Sequence, residues 1–194
     1  MTNIRNLPAI AASGAMLANA VPVVALSPVE QRASRAEIVV DGVLDRALDG
    51  YVAFFLTPDA TLWQSLRAGS RHPRLSASAL AADTSEFIFL ISTVRTLVDS
   101  GREFVVTNGN AESPTSRFAT TRADSDAMLY RLRTTGSADA LPDAELLVHE
   151  SLPLESITLV GVQNDRVRAQ ARDILSAASF DPKIAVYPPW FQVS

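Results

Sequence analysis

The chain has 194 residues, of which 47% are hydrophobic and 20% charged, as is typical of one globular domain and not of a disordered segment. It has no cysteine and only two histidines, which excludes disulfides, thiolate catalysis and cysteine-ligated zinc, and we expect no metal site. The net charge of −4 gives no overall attraction to nucleic acid.

The basic residues are almost all arginines, since Lys183 is the only lysine. Arginine suits bidentate phosphate contacts and stacking on bases, although the same bias also accompanies a GC-rich gene. No apolar run has the length of a membrane span, and the N-terminus lacks the charged and apolar regions of a signal peptide. We therefore expect a cytoplasmic protein without a membrane contact.

The predicted elements are short helices and short strands in alternation. The first is a helix over Ala9–Ala20, with Pro8 in its first turn and Asn6 as its cap, which Gly14 weakens enough that a shorter helix followed by a loop fits equally well. Runs rich in branched and aromatic residues predict strands at 50–56, 86–91, 103–107, 157–162 and 183–187. Helices are predicted at 60–67 with Asp59 as cap, at 93–100, at 124–133, and at 166–178 with Asn164 as cap.

One further strand is predicted where a single carboxylate, Glu145, enters the apolar run 144–153. The turn residues Pro142 and Asp143 precede it, so Glu145 falls among the first strand residues, where side chains meet solvent or a cleft. Two interpretations follow: an edge glutamate in water, or a catalytic carboxylate. His149 lies four residues further and shares the face of Glu145, as a structural histidine or a substrate contact.

Several strands with short helices between them predict one α+β domain over residues 1–194. The chain has no glycine-rich phosphate loop of the Walker or Rossmann kind. A nucleotide would therefore require another architecture.

Five segments resemble, in the same order, segments of the DarT family of nucleic-acid ADP-ribosyltransferase toxins. The most specific is Ala144-Glu145-Leu146-Leu147-Val148-His149, which is similar to the family's Ala-Glu-Phe-Leu-Val-His. The others are Met1–Leu7, similar to His-Ile-Thr-x-x-x-Asn-Leu without its first residue; Tyr51–Asp59, similar to Val-Pro-Phe-Tyr-Phe before Pro-Arg; Thr107–Phe118, similar to Thr-Asp-Gly-x-Ala through Arg-Phe; and Val186–Phe191, similar to Val-x-Pro-x-Trp-Tyr.

The resemblance implies an ADP-ribosyltransferase fold, a split mixed β-sheet flanked by short helices that grips NAD, with Glu145 as the catalytic glutamate. The implied reaction moves ADP-ribose from NAD to a base of single-stranded nucleic acid, with DNA favoured over RNA. A toxin–antitoxin or phage-defence role with a macrodomain antitoxin as partner is implied as well.

The remaining candidate residues fall into two groups. Those expected to contact NAD are Thr2, Asn6, Leu7, Tyr51, Phe54 and Asn110. Those expected to contact the acceptor are Arg71, Arg74, Arg117 and His149. Most aromatic residues on a strand belong to the core, so we expect at most one of Tyr51, Phe54 and Phe55 to stack on a ligand, and Arg117 could equally pair with an acidic neighbour on the surface.

The chain departs from the family pattern at Asp59, which stands where the family has an arginine that is thought to contact NAD phosphate. Arg67, Arg71 and Arg74 are the nearby arginines that could replace it, and the sequence does not choose among them. Two alternatives therefore stay open: the same transferase fold with an RNA or protein acceptor, and a degenerate relative that binds NAD or nucleic acid without turnover.

Overall fold

Short strands and short helices alternate along residues 1–40, 46–134 and 140–192, the ranges that this computed structural model describes. The strands are β1 (Thr2–Asn3), β2 (Ala15–Leu17), β3 (Tyr51–Phe55), β4 (Phe87–Ile91), β5 (Phe104–Thr107), β6 (Phe118–Ala119), β7 (Glu145–His149), β8 (Ser151–Pro153), β9 (Leu159–Val162) and β10 (Lys183–Val186). The helices are α1 (Leu7–Ser13), α2 (Val29–Ser34), α3 (Thr61–Arg67), α4 (Ala77–Ala81), α5 (Val94–Asp99), α6 (Arg122–Thr134) and α7 (Asp165–Ala177). None of these helices is long and apolar enough to span a bilayer.

The strands form two four-stranded sheets and a two-stranded ribbon. The first sheet has the order β1-β4-β9-β10 and is mixed, because β9 and β10 run parallel. The second has the order β3-β7-β5-β6 and is antiparallel, and the ribbon pairs β2 with β8. This arrangement confirms the predicted α+β class with a split sheet.

One apolar cluster joins the two sheets. It contains Leu90 and Val160 of the first sheet, Val106 and Leu146 of the second, and side chains of α1 and α7. Because side chains alternate along a strand, Leu146 points into this cluster while Glu145 points to the opposite face of the second sheet. The core thus fixes the face on which the carboxylate lies.

A second cluster is built around the fully buried Trp63 of α3. Its ring packs against Phe87, Phe89 and Phe191, with centroids 5.6–5.7 Å apart, and its Nε1 donates a hydrogen bond to the carbonyl of Trp190 at 2.6 Å. Both tryptophans therefore serve packing, which ties the C-terminal segment to α3.

Of the two predictions for the N-terminal helix, the structure agrees with the shorter helix, and a strand stands where a loop was predicted. The helix ends at Ser13, because Gly14 adopts a left-handed conformation with φ of 67°, and residues 15–17 pair with β8 as a strand. Asn6 occupies the predicted N-cap position, but its side chain makes no capping hydrogen bond and binds Thr2 and the backbone of Val24 instead.

Two other capping predictions have opposite outcomes. Asp59 does not cap α3, whose cap position is Ala60, and its carboxylate pairs with Arg67. Asn164 does cap α7, as predicted, because its Oδ1 accepts a hydrogen bond from the Val167 backbone N–H at 3.0 Å.

Candidate active site

Glu145 is the first residue of β7, a strand between β3 and β5, and only 1% of the residue is exposed. Its backbone N–H donates to the Thr107 hydroxyl at 2.9 Å, and that hydroxyl lies 2.6 Å from the Gly109 carbonyl oxygen, to which it donates. Thr107 thus replaces a ladder hydrogen bond at the point where β5 leaves β7. The backbone of Glu145 is held by the turn that follows β5.

Two arginines face the Glu145 carboxylate. Arg74 donates from Nη2 to Oε1 at 2.9 Å, and Arg35 Nη1 lies 3.8 Å from Oε2. Arg35 in turn donates to Glu112 Oε1 at 3.0 Å, and Gln31 donates to Glu112 Oε2 at 2.7 Å. We call these five residues the arginine–carboxylate cluster.

The cluster brings together segments that are distant in the chain. Gln31 lies on α2 and Arg35 immediately after it, Arg74 lies between α3 and α4, and Glu112 follows β5. The side chains of Arg35 and Arg74 are only 14% and 15% exposed. Their charges therefore act on Glu145 with little screening by water.

Burial raises the pKa of the Glu145 carboxyl, and the positive charges of Arg35 and Arg74 act against that rise. The desolvation effect is the larger one, because the side chain has almost no contact with solvent. The arginines thus keep accessible an ionised form that burial alone would suppress.

Several buried polar atoms of the cluster lack a hydrogen-bond partner among the described residues. They are Glu145 Oε2, Arg35 Nη2, Arg74 Nε and Gln31 Oε1. Buried polar groups are normally satisfied, so their concentration at one point indicates a ligand site. An open acceptor beside open guanidinium donors suits a ligand that carries both hydroxyls and oxyanions.

The structure brings the N-terminal candidates Thr2, Asn6 and Leu7 together beside β1. Asn6 Nδ2 donates to Thr2 Oγ1 at 3.0 Å and to the Val24 carbonyl at 2.9 Å, while Asn6 Oδ1 accepts from the Val24 N–H at 2.9 Å. Leu7 is fully buried in the core. Asn6 therefore anchors the segment around Val24.

That segment leads to the loop of Arg74. Ser76 donates from its backbone N–H to the Leu26 carbonyl at 2.9 Å, and its hydroxyl donates to the carbonyl of Ala25. The N-terminal motif thus positions, through residues 24–26, the loop that places Arg74 against Glu145.

Of the aromatic candidates on β3, Tyr51 and Phe54 lie away from the carboxylate, and Phe55 lies beside it. Tyr51 pairs in register with His149, with ring centroids 5.2 Å apart, whereas Glu145 pairs with Phe55 at the other end of the strand. Phe54 points to the opposite face and lines, with Leu146, a pocket of about 270 Å³. Tyr51 thus lies at the end of β3 that is distant from Glu145, and Phe54 lies on the opposite face of the sheet.

Asn110 lies beside the cluster and not in it. Its Oδ1 accepts a hydrogen bond from the Glu112 backbone N–H at 3.1 Å. Asn110 thereby positions Glu112, which holds Arg35.

The structure separates the arginine candidates. Arg71 and Arg117 are exposed, while Arg67 is buried against the Trp190 carbonyl at 3.2 Å and pairs with Asp59 at 3.2 Å. Among the arginines considered as substitutes for position 59, Arg74 is the one that contacts Glu145.

Sequence reasoning missed the partners of Glu145 other than Arg74. Thr107 lies in the segment 107–118 that resembles the family, and its hydroxyl at a strand end was the available signal. Gln31, Arg35 and Glu112 carried no signal beyond the four-residue spacing of the first two, because their meeting depends on the fold.

This chain matches one protein-family model and several solved structures. A family model described as "ssDNA thymidine ADP-ribosyltransferase, DarT" matches residues 1–192. Comparison with curated protein sequences gives no significant match.

Solved structures share the fold over 98% of this chain. A Thermus sp. 2.9 DarT in complex with ADP-ribosylated ssDNA is 18% identical, with a TM-score of 0.82 and 93% of its chain covered. The same organism's DarT in complex with NAD+ is 20% identical, with a TM-score of 0.76 and 94% covered. A Thermosipho africanus DarTG in complex with ADP-ribose is 14% identical, with a TM-score of 0.68 and 49% of that chain covered.

These findings confirm the expected fold, the transferase class and NAD as the compound that such structures bind. The structure gives the positions of the individual site residues, and their roles in binding and catalysis stay predictions. With the family model spanning residues 1–192, the chain belongs to the DarT family of single-stranded-DNA thymidine ADP-ribosyltransferases.

Proposed function

We propose that this chain transfers ADP-ribose from NAD to thymidine in single-stranded DNA with Glu145 as its catalytic carboxylate, residues 1–194 acting as one domain. The observation that carries the proposal is the Glu145 side chain, which is buried at the start of β7 with two arginines beside it and with an Oε2 that accepts no hydrogen bond from the described residues. The complexes of Thermus sp. 2.9 DarT with NAD+ and with ADP-ribosylated ssDNA support both substrates.

The residues present fit NAD by their donor and acceptor chemistry. Glu145 Oε2 is an acceptor for a ribose 2′-hydroxyl, and the unpaired N–H groups of Arg35 and Arg74 are donors for phosphate oxygens. The ligand thus satisfies groups that otherwise lie buried without partners.

The reaction needs a single carboxylate and no metal ligand set. The bond between nicotinamide and ribose C1′ breaks, and its electron pair leaves with nicotinamide. Glu145 stabilises the positive charge that develops on the ribose, through its own charge and its hold on the 2′-hydroxyl. As a ring nitrogen of thymine bonds to C1′, Glu145 accepts the proton that this nitrogen loses.

The ionisation of Glu145 sets the expected pH dependence. Only the ionised carboxylate can stabilise the ribose cation and accept the proton. Because burial raises its pKa, activity should increase with pH and level off only above the ordinary range of a glutamate. This increase of activity with pH should disappear in Glu145→Gln, whose side chain does not titrate.

The DNA acceptor and the antitoxin belong to the proposal. Acceptance of a base from single-stranded DNA avoids the free energy of unpairing a duplex.

The polar loop Thr134–Asp143 leads into β7 and is our candidate for acceptor recognition, although residues 135–139 lie outside the described ranges. We propose further that a macrodomain antitoxin holds this toxin in check in the cytoplasm, and the similarity to a Thermosipho africanus DarTG is consistent with a paired system.

The test is a mass-shift assay with the full chain, NAD and separate pools of single-stranded DNA and RNA oligonucleotides, with and without thymidine. We expect an ADP-ribose adduct on thymidine-containing DNA that Glu145→Ala does not form. Adducts on RNA or on added protein, with none on DNA, would show that the chain modifies a different acceptor. Binding of NAD without any adduct would identify a degenerate relative.

A further inference from the structure

Of the two donors on one edge of the Arg74 guanidinium, only one makes a hydrogen bond to a described residue. Its Nη2 donates to Glu145 Oε1 at 2.9 Å, while the neighbouring Nε is buried and has no partner among the described residues. Nε and Nη2 form one edge of the guanidinium, and two parallel donors on one edge match two oxygens of a phosphate. The carboxylate takes one of these donors and leaves the other open.

Position 59 offers no cation for this purpose. Asp59 carries a negative charge and is 58% exposed, and the nearest guanidinium, Arg67, turns to it and to the Trp190 carbonyl. Arg74 reaches the carboxylate from a different loop, which the hydrogen bonds of Ser76 to residues 25 and 26 hold in place.

We propose that Arg74 binds the pyrophosphate of NAD in this chain and gives up its ion pair with Glu145 to do so. This inference rests on the proposed function, since it assigns a further binding residue to the same site. Arg74 is then the phosphate-binding cation of the site, and Glu145 is its partner only before NAD binds.

The exchange has a chemical reason on each side. A guanidinium that stays on Glu145 weakens the attraction between the carboxylate and the positive charge that develops on the ribose. Once Arg74 has moved to the phosphate, both carboxylate oxygens are available to the ribose. A pyrophosphate with two negative charges offers Arg74 more partners than the single oxygen it contacts now, which drives the exchange.

Arg35 remains on the carboxylate side after the exchange. Its Nη1 is held by Glu112 at 3.0 Å, and Glu112 is held by Gln31 at 2.7 Å. Arg35 therefore continues to favour the ionised form of Glu145 when Arg74 leaves.

The experiment measures by calorimetry how the full chain binds two probes, ADP-ribose, which contains the pyrophosphate, and nicotinamide riboside, which does not. Wild type is compared with Arg74→Ala, Arg74→Lys, Glu145→Gln and the double variant Arg74→Ala/Glu145→Gln. Arg95→Ala is the matched control, because it removes an arginine whose side chain is 91% exposed on α5.

Loss of Arg74 should weaken ADP-ribose binding about tenfold or more while nicotinamide riboside binds as before. Arg74→Lys should recover part of the loss, since it restores the charge but not the two-donor edge. Glu145→Gln should bind ADP-ribose more tightly than wild type, because Arg74 no longer has to leave a carboxylate, and the double variant should bind as weakly as Arg74→Ala.

Three results would overturn the inference. These are unchanged ADP-ribose binding by Arg74→Ala, equal losses for the two probes, and Glu145→Gln binding that does not exceed wild type. Failure of wild type to bind NAD or ADP-ribose would defeat the proposed function as well. Binding by wild type with an unaffected Arg74→Ala would defeat this inference alone.

Discussion

Glu145 is an ionisable residue in a place where burial opposes its charge. Only 2% of its side chain is exposed, and the contacts that favour ionisation come from Arg74 and Arg35 at 2.9 and 3.8 Å. Residues of this kind often lower the stability of the free protein in exchange for reactivity. Their effect on stability should therefore depend on pH.

Glu145→Gln should stabilise the protein relative to wild type more at pH 8 than at pH 5. A carboxyl whose pKa is raised on folding contributes stability at low pH, and this contribution is lost as pH rises through the folded pKa. The glutamine does not titrate, so the difference in unfolding free energy between the two proteins should grow as pH rises. Urea titrations at both pH values measure it.

Glu103→Gln is the matched control for that comparison, because the Glu103 side chain is 61% exposed. It shows the effect of losing one carboxylate at the surface. A pH-independent difference for Glu145→Gln, or one that shrinks towards high pH, would contradict the assignment.

Thr107 predicts a separate effect on the rate. Thr107→Val removes the acceptor of the Glu145 backbone N–H, which leaves a buried donor unpaired at about 1–3 kcal/mol of stability. The displaced carboxylate should lower kcat about tenfold or more, with a smaller change in NAD affinity.

Thr107→Ser keeps the hydroxyl and should retain most of the activity. Steady-state kinetics of the valine and serine variants give the kcat values that test this prediction. If the valine and serine variants had the same kcat, the hydroxyl would have no part in positioning Glu145.

At the scale of elements, β9 approaches the C-terminal segment closely at Gly161. A Cβ there would lie 2.7 Å from Cζ3 and 3.1 Å from Cε3 of Trp190. The Trp190 backbone cannot retreat freely, because its carbonyl accepts hydrogen bonds from Trp63 and Arg67. The packing of β9 against this segment thus depends on the glycine.

Gly161→Ala should destabilise the protein by about 1–3 kcal/mol through overpacking. Gly50→Ala is the control, since a Cβ at Gly50 would meet no atom within 4 Å. Thermal denaturation of both variants tests the prediction, and an equal loss in both would argue against the close approach.

The predicted strands at 50–56, 86–91 and 157–162 are confirmed as β3, β4 and β9, because each is rich in the branched and aromatic residues that favour strands. The two-residue β1 and the helix α2 were missed, since β1 is too short for any periodicity and α2 has no buried residue to create a pattern. Element type thus follows from local composition and periodicity, and elements that are too short or lack a buried face give no such pattern.

The site was predictable only in part, for a related reason. Glu145 has a local signal, a carboxylate at the start of an apolar strand. Its partner Arg74 is 71 residues away, and Arg35 and Glu112 are 77 residues apart. Their contact is a property of the fold, so that nothing in the surrounding residues distinguished these arginines from the exposed Arg71 and Arg117.

At the scale of the molecule, a net charge of −4 coexists with a site in which two arginines lie beside two glutamates. Two sheets joined by one core present the start of β7, and three loops or helix ends bring arginines and carboxylates to it. Attraction for a phosphate-bearing ligand therefore depends on the local placement of arginines and not on overall charge.

The most direct measurement compares wild type and Glu145→Gln for NAD binding and for nicotinamide release with a thymidine-containing single-stranded oligonucleotide. The account predicts that both bind NAD, while the variant releases nicotinamide and forms the adduct on the order of a hundredfold more slowly. Equal rates in the two proteins, with adduct formed by both, would contradict the claim that Glu145 carries the reaction.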